Sequence, residues 1–209
     1  MVYKTKSFLR REEYKMLSKL YADGDILDVG GSKKSGYHEL ILGEHKIITG
    51  NIDPSCDADV LFDAEKVWPF GNSQFSCVLF VNVLEHLFDY KFAVGEGYRV
   101  LKSGGKVAGV VPFMLNIHGT PNDYFRYTKS ALQKILSTAG FKSIRIKELG
   151  SGAFGVTYSA LVGFIRWQWL ASPVISICKF LDKMVLRLRL SDKMTGKNMP
   201  LGYYFEAIK

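Results

Sequence analysis

The chain of 209 residues, 47% of them hydrophobic and 23% charged, is long enough for one well-packed domain and too short for two of ordinary size. Its 13% aromatic residues, with 20 glycines and only 6 prolines, exclude a disordered or collagen-like chain. A formal net charge of +8 indicates an anionic partner, which is a nucleic acid, a membrane surface or an acidic substrate.

The cysteines and the first residues indicate a cytoplasmic protein. The three cysteines are scattered without a C-x-x-C pair, so we expect neither a disulfide framework nor a cysteine-based zinc site, and no other metal is expected. Residues 1–11 are basic but contain no apolar core of signal-peptide length.

The hydrophobic pattern predicts an alternation of helices and strands along the chain. The first helix covers residues 7–22, with Ser7 as its N-cap and Asp23-Gly24-Asp25 as its end. Two further helices are predicted at 92–101 and 129–139. Short apolar runs predict seven strands, at 26–29, 46–52, 59–62, 76–81, 106–111, 143–149 and 203–208.

This order of elements is typical of an α/β fold with a parallel sheet covered on both faces. Right-handed crossovers then give a doubly wound, mostly parallel, seven-stranded sheet, predicted here as a single domain over residues 1–209. Ligands of such sheets bind at the carboxyl ends of the strands, so the loops after strands are the first candidates for function.

One segment, 156–190, within a predicted helical insertion at 152–198, is strongly apolar and basic. We expect two helices with a break at Pro173, forming a lid, a homodimer surface or a segment that lies on an anionic membrane. Trp167, Trp169 and the neighbouring basic residues favour the membrane surface. A bilayer span is not expected, because Arg166, Gln168 and Pro173 interrupt the run.

Two loops carry residues suited to a nucleoside-containing cofactor. Gly30-Gly31-Ser32 follows the first strand and precedes an expected helix, where glycine allows close backbone approach and the helix N-terminus offers free N–H groups. Asp53-Pro54 ends the second strand, where a carboxylate can accept hydrogen bonds from both ribose hydroxyls. NAD and S-adenosylmethionine remain as candidates, although the dinucleotide pattern G-x-G-x-x-G is not matched.

Five landmarks occur in order: Asp28-Val-Gly-Gly-Ser, Asp53-Pro54, Asp63-Ala64-Glu65 with Trp68-Pro69-Phe70, the run from Phe75 to Asn82-Val-Leu-Glu-His86, and Tyr98-Arg-Val-Leu-Lys-Ser-Gly-Gly105. The series resembles class I S-adenosylmethionine-dependent methyltransferases of the small-molecule, type 11-like family. The resemblance covers residues 20–149 and the final strand. It implies a Rossmann-like methyltransferase fold with a helical insertion before the last strand, and S-adenosylmethionine as the cofactor.

Carried over by position, the resemblance implies a role for each cofactor-binding residue. Asp28 would organise the turn at Gly30, Gly31 and Ser32 and approach the methionine ammonium. Asp53, followed by Pro54, would hold the ribose, and Asp63 with Ala64 would flank the adenine. Asn82 and Val83 would lie beside the methionine part and the sulfonium. The first loop departs from the family, since Ser32-Lys33-Lys34 stands where glycine is usual.

Histidine is the usual general base near neutral pH, and two of the four histidines follow strands at the expected cofactor edge. His118 lies in a long polar and aromatic loop after the fifth strand, together with Tyr124, and is the first candidate for base or acceptor ligand. His86 is the second, with a structural, helix-capping role as its alternative. His38 and His45 are expected at the surface.

The sequence therefore predicts methyl transfer to the oxygen or carbon of a small-molecule or lipid-linked acceptor. The alternative is a catalytically inactive methyltransferase-like protein that serves as a binding or scaffold subunit. Nucleic-acid methylation is disfavoured, because Asn82-Val-Leu-Glu stands where base-amino methyltransferases carry an Asn-Pro-Pro-Tyr type motif.

Overall fold

The computed structural model describes residues 7–119, 122–161, 171–188 and 193–209. The apolar runs of the sequence form the strands of one central sheet, and most of the strand residues are buried. Its strands are β1 Gly24–Val29, β2 His45–Asn51, β3 Val60–Leu61, β4 Phe75–Val81, β5 Leu101–Pro112, β6 Lys142–Leu149 and β7 Gly202–Ile208.

The strand order is β3-β2-β1-β4-β5-β7-β6, and among these seven strands β7 points in the opposite direction to the other six. The predicted doubly wound, mostly parallel, seven-stranded sheet is confirmed. Chain order reverses between β1 and β4, which are directly paired, with Val29 opposite Phe80. Such a switch point opens a crevice at the carboxyl ends of the strands, where ligands of open α/β sheets bind.

Helices cover both faces of the sheet. They are α1 Phe8–Leu17, α2 Tyr90–Val100, α3 Lys129–Thr138, α4 Ala153–Leu161 and α5 Ala171–Arg187. Side-chain oxygens of Ser7, Asp89 and Thr128 cap the first three by accepting backbone N–H bonds. One hydrophobic cluster includes α2 and α3, and the other includes α1, α4 and α5, so each face of the sheet has its own core.

The prediction of a helix after the first loop is wrong. Between β1 and β2 the chain forms a single 3₁₀ turn, His38–Leu40. Serine side chains explain the difference, because the Ser32 N–H donates to Ser35 Oγ at 3.1 Å and the Lys34 N–H to Ser32 Oγ at 3.3 Å. Such local bonds hold the backbone in a turn and compete with helix formation.

The segment between β6 and β7 contains α4 and α5. Pro173 lies inside α5 as it is described, so the break expected at Pro173 is not found within the described residues. Buried Asp182 of α5 accepts the N–H groups of Phe154 and Gly155, at 2.9 and 3.1 Å, and thereby caps α4. Trp167, Trp169, Arg166 and Gln168 lie outside the described residues. Within the described ranges, no helix combines the length and apolar character needed to cross a membrane.

A carboxylate on α2 fixes the loop between β3 and β4. Glu96 accepts the Trp68 N–H at 2.8 Å and two guanidinium bonds from Arg99, each 2.7 Å long. The bonds from Arg99 hold the pKa of Glu96 below its usual value. The stabilisation is therefore fully present above the pKa of an unfolded glutamate, about 4.3, and is lost as the pH falls through the lower folded value.

We expect Glu96→Gln to lower the free energy of unfolding by about 2 kcal/mol at neutral pH, because charge-assisted bonds are lost. Urea unfolding at pH 7 and pH 3 measures the effect, and the difference from wild type should shrink in acid. Glu44→Gln, at an exposed position before β2, is the control and should change little. An equal loss at both pH values would contradict the ionic role of Glu96.

Candidate functional site

The turn after β1 has a backbone that only glycine accommodates. Gly30 has a positive φ of 75°, and a Cβ built there would lie 2.6 Å from Val83 Cγ2. A Cβ on Gly31 would lie 2.0 Å from Asp28 Oδ2. The first loop therefore rests directly on the Asp28 carboxylate and on the loop after β4.

Asp28 is fully buried and has partners that its sequence position did not suggest. The Tyr37 hydroxyl and His38 Nε2 each donate to Asp28 Oδ2 at 2.7 Å. Burial raises the pKa of Asp28, and the bonds from His38 and Tyr37 oppose that rise. The expected surface position of His38 is wrong, since its side chain is only 15% exposed. The sequence did not predict the contact between His38 and Asp28, because that contact depends on the 3₁₀ turn, which replaces the expected helix.

The end of β2 is joined to the first loop by Asn51, which the sequence analysis did not single out. Its Nδ2 donates to the carbonyl oxygens of Gly30 and Gly31 at 3.0 and 3.1 Å. Its Oδ1 accepts the Asp53 N–H at 3.0 Å. Asp53 is exposed, and hydrogen bonds from Ser55 hold its pKa below the usual value, so an ionised carboxylate stands at this edge. Pro54 is exposed beside it.

Asp63 and Ala64 follow β3. The Asp63 carboxylate accepts the Glu65 N–H at 2.9 Å and forms an ion pair with Lys66 at 3.2 Å. Ala64 is buried, and its carbonyl accepts the Trp68 indole N–H at 3.1 Å. Within the described part of the chain, Asp63 shares no hydrogen bond or ion pair with the other predicted cofactor residues.

The end of β4 is strained. Asn82 has a φ of 52°, a conformation that non-glycine residues adopt rarely and that is frequent at functional sites. Its Nδ2 donates to Glu13 Oε1 at 3.2 Å, and Glu13, buried on α1, pairs with Arg10 at 3.3 Å. Helix α1 therefore covers this edge of the sheet. Glu13 was missed because its spacing within a helical pattern resembles that of a surface residue.

The 3₁₀ turn Leu84–His86 follows at once and carries a group of ionisable side chains. Glu85 is fully buried, and neither of its carboxylate oxygens has a hydrogen-bond partner among the described residues. Glu85 Oε1 lies 3.8 Å from His86 Nε2 and 3.9 Å from His118 Nε2. Burial raises the pKa of Glu85 to about 8. The structure thus brings together the two predicted catalytic histidines around a carboxylate that was not singled out.

Both histidines are oriented by their second ring nitrogen. His86 Nδ1 donates to the Asn122 carbonyl at 2.5 Å, and His118 Nδ1 donates to the Asn116 carbonyl at 3.2 Å. A neutral imidazole that donates through Nδ1 presents an unprotonated Nε2. His118 is further positioned by Asp123, which accepts its backbone N–H at 2.9 Å and whose pKa the Arg126 guanidinium lowers to about 2.

Tyr124, the third catalytic candidate, is exposed, and its ring packs against Phe88 with 5.4 Å between the ring centroids. Its backbone N–H donates to the Glu85 carbonyl at 2.8 Å. Buried Tyr127 donates its hydroxyl to the Leu84 carbonyl at 3.0 Å. These two bonds fasten the loop after β5 to the 3₁₀ turn after β4.

A mostly apolar cavity of about 680 Å³ lies between α2 and α3, next to this loop. Arg126 belongs to its lining and also binds the Asp123 carboxylate, so one side chain connects the cavity with the histidine group. Other lining residues are Tyr90, Val94, Phe125, Tyr127, Ile135, Lys91 and Lys134.

The family described as "Methyltransferase domain" matches residues 49–109, which contain the end of β2, all of β3, β4 and α2, and most of β5. No curated protein matches the chain. Among solved structures, the [4+2]-cyclase SpnF is 15% identical with a TM-score of 0.61, covering 99% of this chain and 84% of its own.

Two further solved structures are similar over nearly the whole chain. A methyltransferase dependent on S-adenosylmethionine from Archaeoglobus fulgidus is 16% identical with a TM-score of 0.57, covering 96% of this chain and 91% of that one. Phosphoethanolamine N-methyltransferase 2 of Haemonchus contortus, in complex with S-adenosyl-L-methionine, has the same identity and TM-score and also covers 96% of this chain. The chain spans about half of that enzyme, 52% of its length. At such identities the likeness is one of fold.

Proposed function

We propose that the chain is a class I S-adenosylmethionine-dependent methyltransferase that methylates a hydroxyl group of a small-molecule or lipid-linked acceptor; the matching methyltransferase family model and the shared fold support this. The observation that carries the proposal is the position of Glu85, His86 and His118. Glu85 and His86 come shortly after Asn82 and Val83, the residues expected beside the sulfonium, and the loop after β5 brings His118 next to them, with both histidine Nε2 atoms within 4 Å of Glu85 Oε1.

The residues at the sheet edge suit the cofactor. The Asp28 carboxylate packs against the glycine turn. A side chain at Gly31 would collide with this carboxylate and displace the loop that we assign to the cofactor. Asp53 offers ionised oxygens suited to the two ribose hydroxyls. Asp63 and Ala64 are assigned to the adenine, and Asn82 with Val83 to the methionine part. Ser32 is assigned to the same cofactor-binding loop as Gly30 and Gly31.

The chemistry needs few groups from the protein. The bound sulfonium supplies an activated methyl group and takes the electron pair of the broken carbon–sulfur bond. The protein must hold the acceptor oxygen in line with the methyl carbon and remove its proton. His118 Nε2 is assigned to that proton, while Asp123 and the Asn116 carbonyl keep its ring in place. His86 and Tyr124 are assigned to acceptor binding.

The adjoining cavity supports an acceptor with an apolar part. The reacting hydroxyl would lie at the histidines and the apolar remainder between α2 and α3, with Lys91 and Lys134 available for an anionic group. A lipid-linked acceptor fits this division. Helix α5 exposes three apolar side chains, Ile177, Phe180 and Leu186. This apolar surface could contact a membrane, which agrees with a lipid-linked acceptor, or a second copy of the chain.

A binding or scaffold protein without activity is the second candidate. It is favoured by the first loop, which has few glycines and ends in a 3₁₀ turn, so that a full helix N-terminus does not face the methionine carboxylate.

Calorimetry with S-adenosylmethionine separates the two candidates, and we expect binding that Asp53→Asn weakens about 10–100-fold through loss of charge-assisted bonds. Asp57→Asn, four positions later in the same loop and also exposed, is the matched control and should bind as wild type does.

Turnover is then measured as S-adenosylhomocysteine release against soluble and lipid-linked hydroxyl acceptors, with phosphoethanolamine as an amine comparison. Cofactor binding without turnover on any acceptor favours the scaffold. Absence of binding at millimolar cofactor rules out the enzyme.

A further inference from the structure

Two observations at the histidine group are not explained by a proton acceptor alone. A buried carboxylate without hydrogen bonds is costly, because burial removes its water and no donor replaces it. Glu85 is in this state among the described residues, yet the Nε2 atoms of both histidines lie near its Oε1, at 3.8 and 3.9 Å. One carboxylate oxygen and two imidazole nitrogens that converge in this way suit a cation.

The geometry points to a binding site for one divalent first-row transition metal, such as zinc, ligated by Glu85, His86 and His118. The ligand atoms all lie within 4.8 Å of one another. Ligands of tetrahedral zinc stand about 3.4 Å apart, so an approach of roughly 0.5 Å by each histidine to the carboxylate would complete those two edges.

The donor set selects the class of metal. Two imidazoles and one carboxylate suit zinc, iron(II) or cobalt(II), whereas magnesium and calcium prefer oxygen ligands alone. Three protein ligands leave a coordination position free for water or a substrate oxygen. The exposed side of His118, whose side chain is 43% exposed, gives a ligand access to that position.

The surroundings supply the outer contacts that ligating histidines require. Metal-bound histidines donate their other N–H to a carbonyl or a carboxylate, which fixes the ring and its tautomer. Here His86 donates to the Asn122 carbonyl, and His118 Nδ1 faces the Asn116 carbonyl and Asp123 Oδ2, at 3.2 and 3.5 Å. The Arg126–Asp123 ion pair fixes the orientation of that carboxylate.

The inference rests on the proposed function for its chemical consequence. A metal in this place would bind the acceptor oxygen and make its proton more acidic. The proton would pass to water as the oxygen–carbon bond forms and the carbon–sulfur bond breaks, with the electron pair left on sulfur. His118 would then act as a ligand and not as the base.

Cobalt(II) titration of the full chain, stripped with a chelator, tests the site independently of activity. We expect visible ligand-field absorption that saturates at one cobalt per chain and is displaced by zinc. Glu85→Gln and His118→Ala should abolish the bands. Asp123→Asn, which leaves the three ligands in place, should weaken zinc binding about 10–100-fold. His45→Ala, at the start of β2, is the control and should leave the spectrum unchanged.

The outcomes are distinct. Failure of wild type to bind cobalt, or an unchanged spectrum in Glu85→Gln, would overturn the metal site. Circular dichroism of each variant separates loss of ligation from loss of folding. Binding of S-adenosylmethionine to the stripped protein is measured in parallel, so a failed metal site with intact cofactor binding leaves the proposed function standing.

Discussion

Replacement of Gly31 by alanine is expected to weaken cofactor binding strongly. The new Cβ would lie 2.0 Å from Asp28 Oδ2, and that carboxylate is held in place by Tyr37 and His38. The loop must therefore move away from its support, at a cost of about 1–3 kcal/mol, which corresponds to as much as ~100-fold in affinity. Calorimetry with S-adenosylmethionine measures the loss, and thermal unfolding measures the cost to stability.

Gly95→Ala is the matched control for Gly31→Ala. Gly95 lies within α2, and a Cβ there would meet no atom within 4 Å. We expect unchanged cofactor binding and a gain of about 0.5–1 kcal/mol in the free energy of unfolding, since alanine favours the helix. Equal cofactor affinity of Gly31→Ala and wild type would show that the first loop does not approach the cofactor.

His118→Ala is expected to lower kcat by about 10²–10⁴-fold, with the affinity for S-adenosylmethionine little changed. The reason is that His118 lies on the acceptor side, beside Glu85, and shares no contact with the first loop among the described residues. Single-turnover rates and cofactor titrations on the same preparation separate the two quantities.

His45→Ala is again the control, because this histidine begins β2, at the end of the strand away from the first loop, and its ring donates to the nearby Gly43 carbonyl. Its kcat should equal that of wild type. A large change in cofactor affinity with kcat preserved in His118→Ala would contradict the acceptor-side assignment. The direction of the effect is the same for a base and for a metal ligand, and the cobalt spectrum distinguishes these roles.

Local patterns were sufficient to predict the sheet. Each of the seven strands coincides with a short apolar run, and the capping residue Ser7 lies where the sequence placed it. The ends of helices were less accurate: α1 ends at Leu17 and not near residue 22. The predicted helix after the first loop failed because serine side chains close that loop on itself.

The site was predictable where one loop acts alone. Asp28 and Gly31 are neighbours in sequence and in space, whereas Glu13 meets Asn82 and Glu85 meets His118 only because α1 and the loop after β5 pack on the same edge. A charged residue that becomes buried by such packing has the same local pattern as an exposed one. These pairs of residues can therefore be recognised only in the folded structure.

The position of β7 has a consequence for the order of folding. This strand follows α4 and α5 in the chain but lies inside the sheet, between β5 and β6, and β6 at the edge pairs with β7 alone. During synthesis β6 emerges long before the neighbour it needs, so the sheet can close only after the intervening helices have left the ribosome. Long-range pairing of this kind slows folding, and until it forms, both β5 and β6 expose an unpaired edge that chaperones or aggregation can reach.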